Sequence, residues 1–359
     1  MPNRRYWDLI ISVFSLYLFF LSIELLGNGL KLLGRGIVEQ LIQTTSNPFA
    51  GLFIGIFATS LVQSSSAVTS IAVGMVANKV LFLRNAIPII MGANIGTTVT
   101  NTLVALNFIS SKQKLTQVFP AATVHDFFNM LTILLFFPLE ISFHLLEKSS
   151  HLLTEVFKSI GGIYISNPLQ TILNPVAKPI SSLFACFPII LLILSLTLLF
   201  LALKFLVDGV RRFCSGRIEV LLDRYIFGSP FKSFCLGLFF TVIIQSSSAT
   251  TSLIIPLVAA GLLDLLKVYP YTLGANIGTT VTAILASLVT GSPLGVQLAF
   301  SHLLFNIFGC CVWYPLRIVP LTLATQWGNL VKRGRIWAIF YVVGVFFLIP
   351  FLLIFLIRR

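Results

Sequence analysis

The sequence predicts an all-α polytopic membrane protein. It is built from two inverted-topology repeats, each holding a re-entrant helical hairpin and a broken transmembrane helix, with an extra C-terminal span. Three observations lead there. The 359 residues are 57% hydrophobic and only 10% charged, with a mean hydropathy of +0.99, whereas soluble domains carry about 25% charged residues. Two polar motifs recur inside apolar sequence: Gln63-Ser64-Ser65-Ser66 followed by Gly92-Ala93-Asn94-Ile95-Gly96-Thr97-Thr98, then Gln245-Ser246-Ser247-Ser248 followed by Gly274-Ala275-Asn276-Ile277-Gly278-Thr279-Thr280. Both pairs stand 182 residues apart (245 − 63 and 274 − 92), so no gap separates the copies.

The first repeat, 8–146, opens with an apolar run over 8–30, long enough to span, since a span takes about 20 residues. The segment 48–78 is too long for one span and has its Gln-Ser-Ser-Ser near the middle. Each half holds about 15 residues, or roughly 22 Å of helix, against a bilayer core of about 30 Å. Two such arms predict a hairpin that enters and leaves on one side. The run 86–109 carries two glycines four apart with an Asn between them, which weakens a helix and predicts a break. The competing reading is a small-residue packing face; the duplication beside a hairpin tip favours the break. A third span covers 118–146.

A linker over 147–184 carries Gly161-Gly162, Pro168, Pro175, Pro179 and mixed charge, and reads as an extramembrane loop with some amphipathic helix. The second repeat, 185–320, follows the same order: a span at 185–207, a hairpin at 230–262, a broken span at 268–290 and a span at 297–320. Ala122-Thr123-Val124-His125-Asp126-Phe127-Phe128-Asn129 aligns with Ala299-Phe300-Ser301-His302-Leu303-Leu304-Phe305-Asn306. Three spans per repeat is an odd number, so the second copy starts on the opposite face. The run 336–357 is an additional span.

The net charge of +13 does not indicate nucleic acid, because the Lys and Arg residues cluster at the ends of apolar runs, as anchors do. With the N-terminus inside, 14 basic residues (Arg217 and Arg224 among them) collect on the inner side and 9 (including Arg35, Arg358 and Arg359) on the outer, which favours that orientation. Met1 to Asp8 do not read as a cleaved signal, since the following run has no small-residue cleavage site. The five cysteines show no metal spacing and read as packing residues.

Gln-Ser-Ser-Ser offers an amide and three hydroxyls, both donors and acceptors. At a hairpin tip the second arm adds free N–H groups and the positive end of its dipole, a setting for an anion. Carbonyl and hydroxyl oxygens there, with those of Asn94, Thr97, Thr98, Thr100, Asn276, Thr279, Thr280 and Thr282, suit a hard cation such as Na⁺. Neither motif contains Lys or Arg, so a bound anion needs a co-bound cation in a low-dielectric site. The reading is a cation-coupled transporter of a small anion, not an enzyme, with no resident cofactor. An intramembrane serine hydrolase using Ser65 or Ser247 with His125 or His302 is disfavoured by the duplication and by the lack of a Gly-x-Ser-x-Gly turn. His125 and His302 read as satisfied packing histidines. Asp126 has no acidic counterpart in repeat two. Glu24, Lys204 and Asp208 read as snorkelling or paired groups near span ends.

These motifs, with Ala122–Asp126, Ser46-Asn47-Pro48 and Ala86-Ile87-Pro88-Ile89-Ile90-Met91, resemble the type II sodium-dependent phosphate cotransporters across both repeats. The resemblance implies Na⁺-coupled uptake of inorganic phosphate through the cell membrane by alternating access. It implies phosphate ligands among Gln63, Ser64, Ser65, Ser66, Gln245, Ser246, Ser247 and Ser248. For Na⁺ it implies Gln63, Ser66, Asn94, Thr97, Thr98, Gln245, Ser248, Asn276, Thr279 and Thr280. It also implies a bacterial-type core transporter, without a C-terminal regulatory domain or a long glycosylated loop. The alternative is a Na⁺- or H⁺-coupled carrier of another oxyanion or a dicarboxylate. Expected partners are the lipid bilayer, the anion, its cation and, as a candidate assembly, a second copy in a homodimer; the N-terminus is expected in the cytoplasm.

Overall fold

The computed structural model describes residues 2–32, 42–43, 45–161, 166–214 and 229–357, and these form helices and no strand. Gly162, Arg35, Arg217, Arg224, Arg358 and Arg359, on which the linker and orientation readings drew, lie outside the described residues. The helices are α1 (Pro2–Leu32), α2 (Pro48–Val62), α3 (Ser65–Ala77), α4 (Leu83–Thr97), α5 (Val99–Leu106), α6 (Lys112–Phe143), α7 (Leu145–Ser159), α8 (Ser166–Leu183) and α9 (Pro188–Cys214). Then follow α10 (Pro230–Ile244), α11 (Ser247–Ser252), α12 (Ile254–Ala259), α13 (Leu265–Thr290), α14 (Pro293–Trp313) and α15 (Ile318–Arg333). The last span, Ile336–Ile357, consists of α16 (Ile336–Val343), a π-helical turn at Gly344–Leu348 and α17 (Ile349–Ile357).

Seven helical stretches among the described residues are long and apolar enough to cross a membrane. Four shorter apolar helices, Pro48–Val62, Ser65–Ala77, Pro230–Ile244 and Ser247–Ala259, form two matched pairs. Local chemistry sets their ends. Asn47 accepts from the Phe49 N–H with Pro48 at the first turn of α2, and Ser229 caps α10 with Pro230 in the same role. Between the arms, Gln63 (φ 56°) and Gln245 (φ 60°) take the left-handed conformation. Their N–H groups close onto Thr59 O and Thr241 O, both at 2.7 Å. Ser64 and Ser246 then cap the second arms, accepting from the N–H of Ala67 and Ala249 at 3.2 Å. A non-glycine residue in this backbone region costs roughly 1–2 kcal/mol, and it occurs at the same place in both copies.

The Gly-Ala-Asn-Ile-Gly-Thr-Thr segment interrupts its helix in the first copy only, at Thr98, and not in the second, against the expectation of a break in both. In the second copy α13 runs uninterrupted from Leu265 to Thr290, and in the first only Thr98, itself α-helical (φ −77°, ψ −13°), separates α4 from α5. The glycines serve contact instead. A Cβ on Gly92 would fall on the carbonyl oxygen of Leu52, one on Gly55 on that of Ile89, and one on Gly96 within 2.6 Å of Ile56 O and Thr59 Cβ. The second copy repeats this: Gly274 on Phe234 O, Gly237 on Tyr271 O, and Gly278 within 2.7 Å of Thr241 Cβ. The contacting positions rise together along both chains, so each first hairpin arm runs parallel to its spanning helix. Within the same helices Thr97 donates to Ala93 O (2.8 Å) and Thr279 to Ala275 O (3.1 Å), so neither hydroxyl is left unpaired.

Helices α1 and α9, the first spans of the two copies, pack antiparallel. Arg212 pairs with Asp8 at 2.9 Å at one end, and Gly29 lies against Leu192 at the other. The predicted linker contains α7 and α8, with Pro175 and Pro179 inside the latter. The expected span 297–320 ends earlier, at Trp313, and a helix the sequence reading did not foresee, α15, follows and sets Gly328 against Pro120 of α6. Among the described cysteines, Cys186 and Cys311 are exposed and not packed.

Candidate functional site

Each hairpin tip presents its second arm's first turn to the opposite copy. Ser66 Oγ lies 3.4 Å from both Gln245 O and Thr282 Oγ1, and Ser248 Oγ donates to Thr97 O at 3.3 Å. One turn further, Thr251 donates to Asn101 Oδ1 at 2.9 Å. Ser65, Ser66, Ser247 and Ser248 are all buried, each on the first turn of a helix whose leading N–H groups have no intrahelical acceptor. Carbonyl ends of α2 and α10 meet N–H ends of α3 and α11 at the tips, so opposite dipole ends lie side by side.

The two glutamines, equivalent in sequence, behave differently. Gln245 is buried; its Oε1 accepts from Thr282 Oγ1 at 2.8 Å and its Nε2 donates to Val242 O. Gln63 is exposed, and Thr100, the counterpart of Thr282, has a buried hydroxyl without a hydrogen bond.

Behind the tips the predicted Asn and Thr residues take distinct roles. Asn276 Nδ2 donates to Asn129 Oδ1 (2.9 Å) and Asn306 Oδ1 (2.8 Å); Asn129 donates in turn to Asn94 O (2.9 Å). Asn94 Nδ2 bonds Ile90 O of its own helix at 2.9 Å, while its Oδ1 stands 3.4 Å from His302 Nε2. Thr97, Thr98, Thr279 and Thr280 spend their protons on carbonyls of their own helices, at 2.7–3.1 Å, and keep oxygen lone pairs free. Such oxygens can coordinate a hard cation. Ser64 and Ser246 are occupied as caps.

Several participants were not singled out from sequence. Asn129 and Asn306 appeared only as matching letters of the repeat; the signal is that both are amides at equivalent places inside apolar spans. The histidines are not the satisfied packing residues expected. Both are buried; His125 stands beside Asn276 without a hydrogen bond of good geometry, and Nδ1 of His302 has no partner. Asp126, also fully buried, is held by Tyr341 of the C-terminal span (OH to Oδ2, 2.9 Å). Around that phenol stand Phe119, Phe127, Trp327 and Phe346. Tyr341→Phe removes the donor and keeps the ring. It is expected to cost about 1–3 kcal/mol, the penalty of stranding a buried acceptor, read as a lower melting temperature of the purified protein.

The sequence pattern of the Na⁺/Pi-cotransporter family matches residues 18–160 and 198–348. The chain belongs to this family. Both tips, both glycine crossings and the Asn cluster lie inside the matched Na⁺/Pi-cotransporter segments, as does Tyr341. The chain is similar to sodium-dependent phosphate transport protein 2B of Homo sapiens, 33% identical over 441 aligned residues that take in 95% of this chain and 64% of that protein. It is also similar to the 2B protein of Pongo abelii, with the same identity and coverage. With protein 2A of Ovis aries it shares 33% identity over 417 residues, 93% of this chain and 65% of the relative. The chain thus spans a little less than two thirds of the length of these relatives. No solved structure matches it.

Proposed function

We propose that the chain is a secondary active transporter that couples Na⁺ to uptake of inorganic phosphate across a cell membrane. The observation that carries this is the pair of buried serine tips, each reaching across to the other copy, at Gln245 O and Thr282 for Ser66 and Thr97 O for Ser248. The similar animal proteins named above are sodium-dependent phosphate transporters by name, which supports the choice of cation and anion.

In this reading Ser64, Ser65, Ser66, Ser246, Ser247 and Ser248 surround phosphate with hydroxyls and first-turn N–H groups, with Gln63 and Gln245 at the rim. Na⁺ takes oxygens from Gln63, Ser66, Asn94, Thr97, Thr98 and from Gln245, Ser248, Asn276, Thr279, Thr280. With no Lys or Arg in either motif, the cation compensates the anion, so each is bound better in the other's presence.

The arms α2 and α3, of 15 and 13 residues, are each shorter than a bilayer core of about 30 Å at 1.5 Å per residue. That length supports re-entrant hairpins. The antiparallel packing of α1 on α9 supports inverted repeats. Exposure of Gln63 beside burial of Gln245 supports alternating access: the first tip open to one side while the second is shut. The N-terminus is placed in the cytoplasm on the balance of basic residues.

The test is ³²P-phosphate uptake into proteoliposomes under an inward Na⁺ gradient against an equal K⁺ gradient, with Ser65→Ala and Ser247→Ala beside the wild type. Uptake should require Na⁺ and fall by at least about tenfold in both variants, as when a buried hydrogen bond to a charged ligand is lost. Arsenate, sulfate and succinate as competitors separate phosphate from other anions. No uptake under either gradient overturns the phosphate assignment.

A further inference from the structure

We propose that Thr59 and Thr241 are cation ligands, one in each repeat, at the crossing of the first hairpin arm and its spanning helix. The inference deepens the cation-coupled reading above and rests on it. The two threonines are equivalent (241 − 59 = 182). Both are fully buried, and both hydroxyl oxygens lack any hydrogen-bond partner.

That is unusual in this bundle. Most helical hydroxyls donate back to a carbonyl one turn earlier, including the next residue in the chain, Ser60, to Ile56 O at 2.7 Å. Others are Thr123 to Phe119 O at 2.9 Å and Thr132 to Phe128 O at 2.7 Å. Of the other buried hydroxyls among the described residues, Ser70 and Thr100 also lack a partner, but neither does so in both copies. A buried hydroxyl with no partner is costly, and the cost recurs at one place in both copies. Crowding fixes the side chains there: Thr59 Cβ and Thr241 Cβ press on Gly96 and Gly278, with the Cγ2 methyl of Thr241 turned to the glycine as well.

The surroundings favour a cation over a neutral partner. Both threonines lie one turn before the carbonyl end of their arm, the negative end of its dipole. Their own carbonyls are taken by the N–H of Gln63 and Gln245, and the carbonyls that follow have no intrahelical donor. One turn beyond Gly96 on the facing helix is Thr100, whose hydroxyl is also unpartnered. In the second copy the counterpart Thr282 is joined to Gln245 at 2.8 Å. Hydroxyl and carbonyl oxygens around a helix C-terminus are the chemistry of a Na⁺-sized alkali cation. Phosphate would meet the opposite end of the tip, at the N–H groups of α3 and α11.

Thr→Val keeps the shape and removes only the oxygen. Purified full-length wild type, Thr59→Val and Thr241→Val are melted in detergent without phosphate, in NaCl or choline chloride titrations. In choline each variant should melt at or above the wild-type temperature, because an unpartnered hydroxyl has been removed. The Na⁺ concentration giving half the stabilising shift should rise about tenfold in each. A midpoint within twofold of wild type in both variants, or a lower melting temperature in choline, overturns the site while leaving Na⁺ coupling intact. A wild type that Na⁺ does not stabilise over choline overturns the cation-coupled reading and this site together.

Discussion

Gly274→Ala, and equally Gly92→Ala, is expected to leave little folded protein. At each position the new methyl would land on a backbone carbonyl oxygen, Phe234 O or Leu52 O, which cannot rotate away as a side chain would. The partner helix brings its own glycine to the same crossing, Gly237 or Gly55, so the clash has no slack on either side. Overpacking a core costs typically about 1–3 kcal/mol and sometimes more; helix axes forced apart here also pull apart the tip contacts beyond the crossing. We expect a destabilisation of at least about 3 kcal/mol, seen as an aggregated peak in size-exclusion chromatography of the detergent-solubilised protein. Gly344→Ala is the control. No atom lies within 4 Å of a Cβ there, and alanine gains up to about 1 kcal/mol in a helix. A monodisperse Gly274→Ala protein melting with the wild type would refute the backbone-contact account.

Those glycines also show where sequence reasoning stopped. They were read as helix breakers because glycine lowers helix propensity, a local property. Their role is set by a partner 37 residues earlier in the chain (274 − 237), which local propensity does not see. Spans were legible because a bilayer demands long apolar runs, and the tips because duplication marks polar residues that a membrane would otherwise reject. Helix α15 was not, since Thr325, Gln326, Lys332 and Arg333 interrupt its apolar pattern and its burial against α6 is tertiary. Tyr341 was missed for the same reason: nothing near it in sequence points to Asp126, 215 residues away.

Two residues that the repeat treats as equivalent should respond unequally to mutation. Asn276 uses both amide hydrogens across helices, on Asn129 Oδ1 and Asn306 Oδ1. Asn276→Leu therefore strands two buried carbonyl oxygens, at about 1–3 kcal/mol each. Asn94 spends one amide hydrogen on Ile90 O of its own helix and offers only its oxygen to His302, at 3.4 Å. Asn94→Leu frees a helix carbonyl that keeps its backbone donor, and should cost less than half as much. Asn276→Asp keeps the shape of the side chain but sets a carboxyl group against two amide oxygens, so it should destabilise at least as much as Leu. Melting temperatures of the three variants in one detergent decide the matter. If Asn94→Leu and Asn276→Leu melt together, the asymmetry of the network is not a property of the folded protein. If they separate as expected, the symmetric pattern written in the sequence is carried by an asymmetric set of bonds. Gln63, exposed, and Gln245, buried, display the same inequality at the tips.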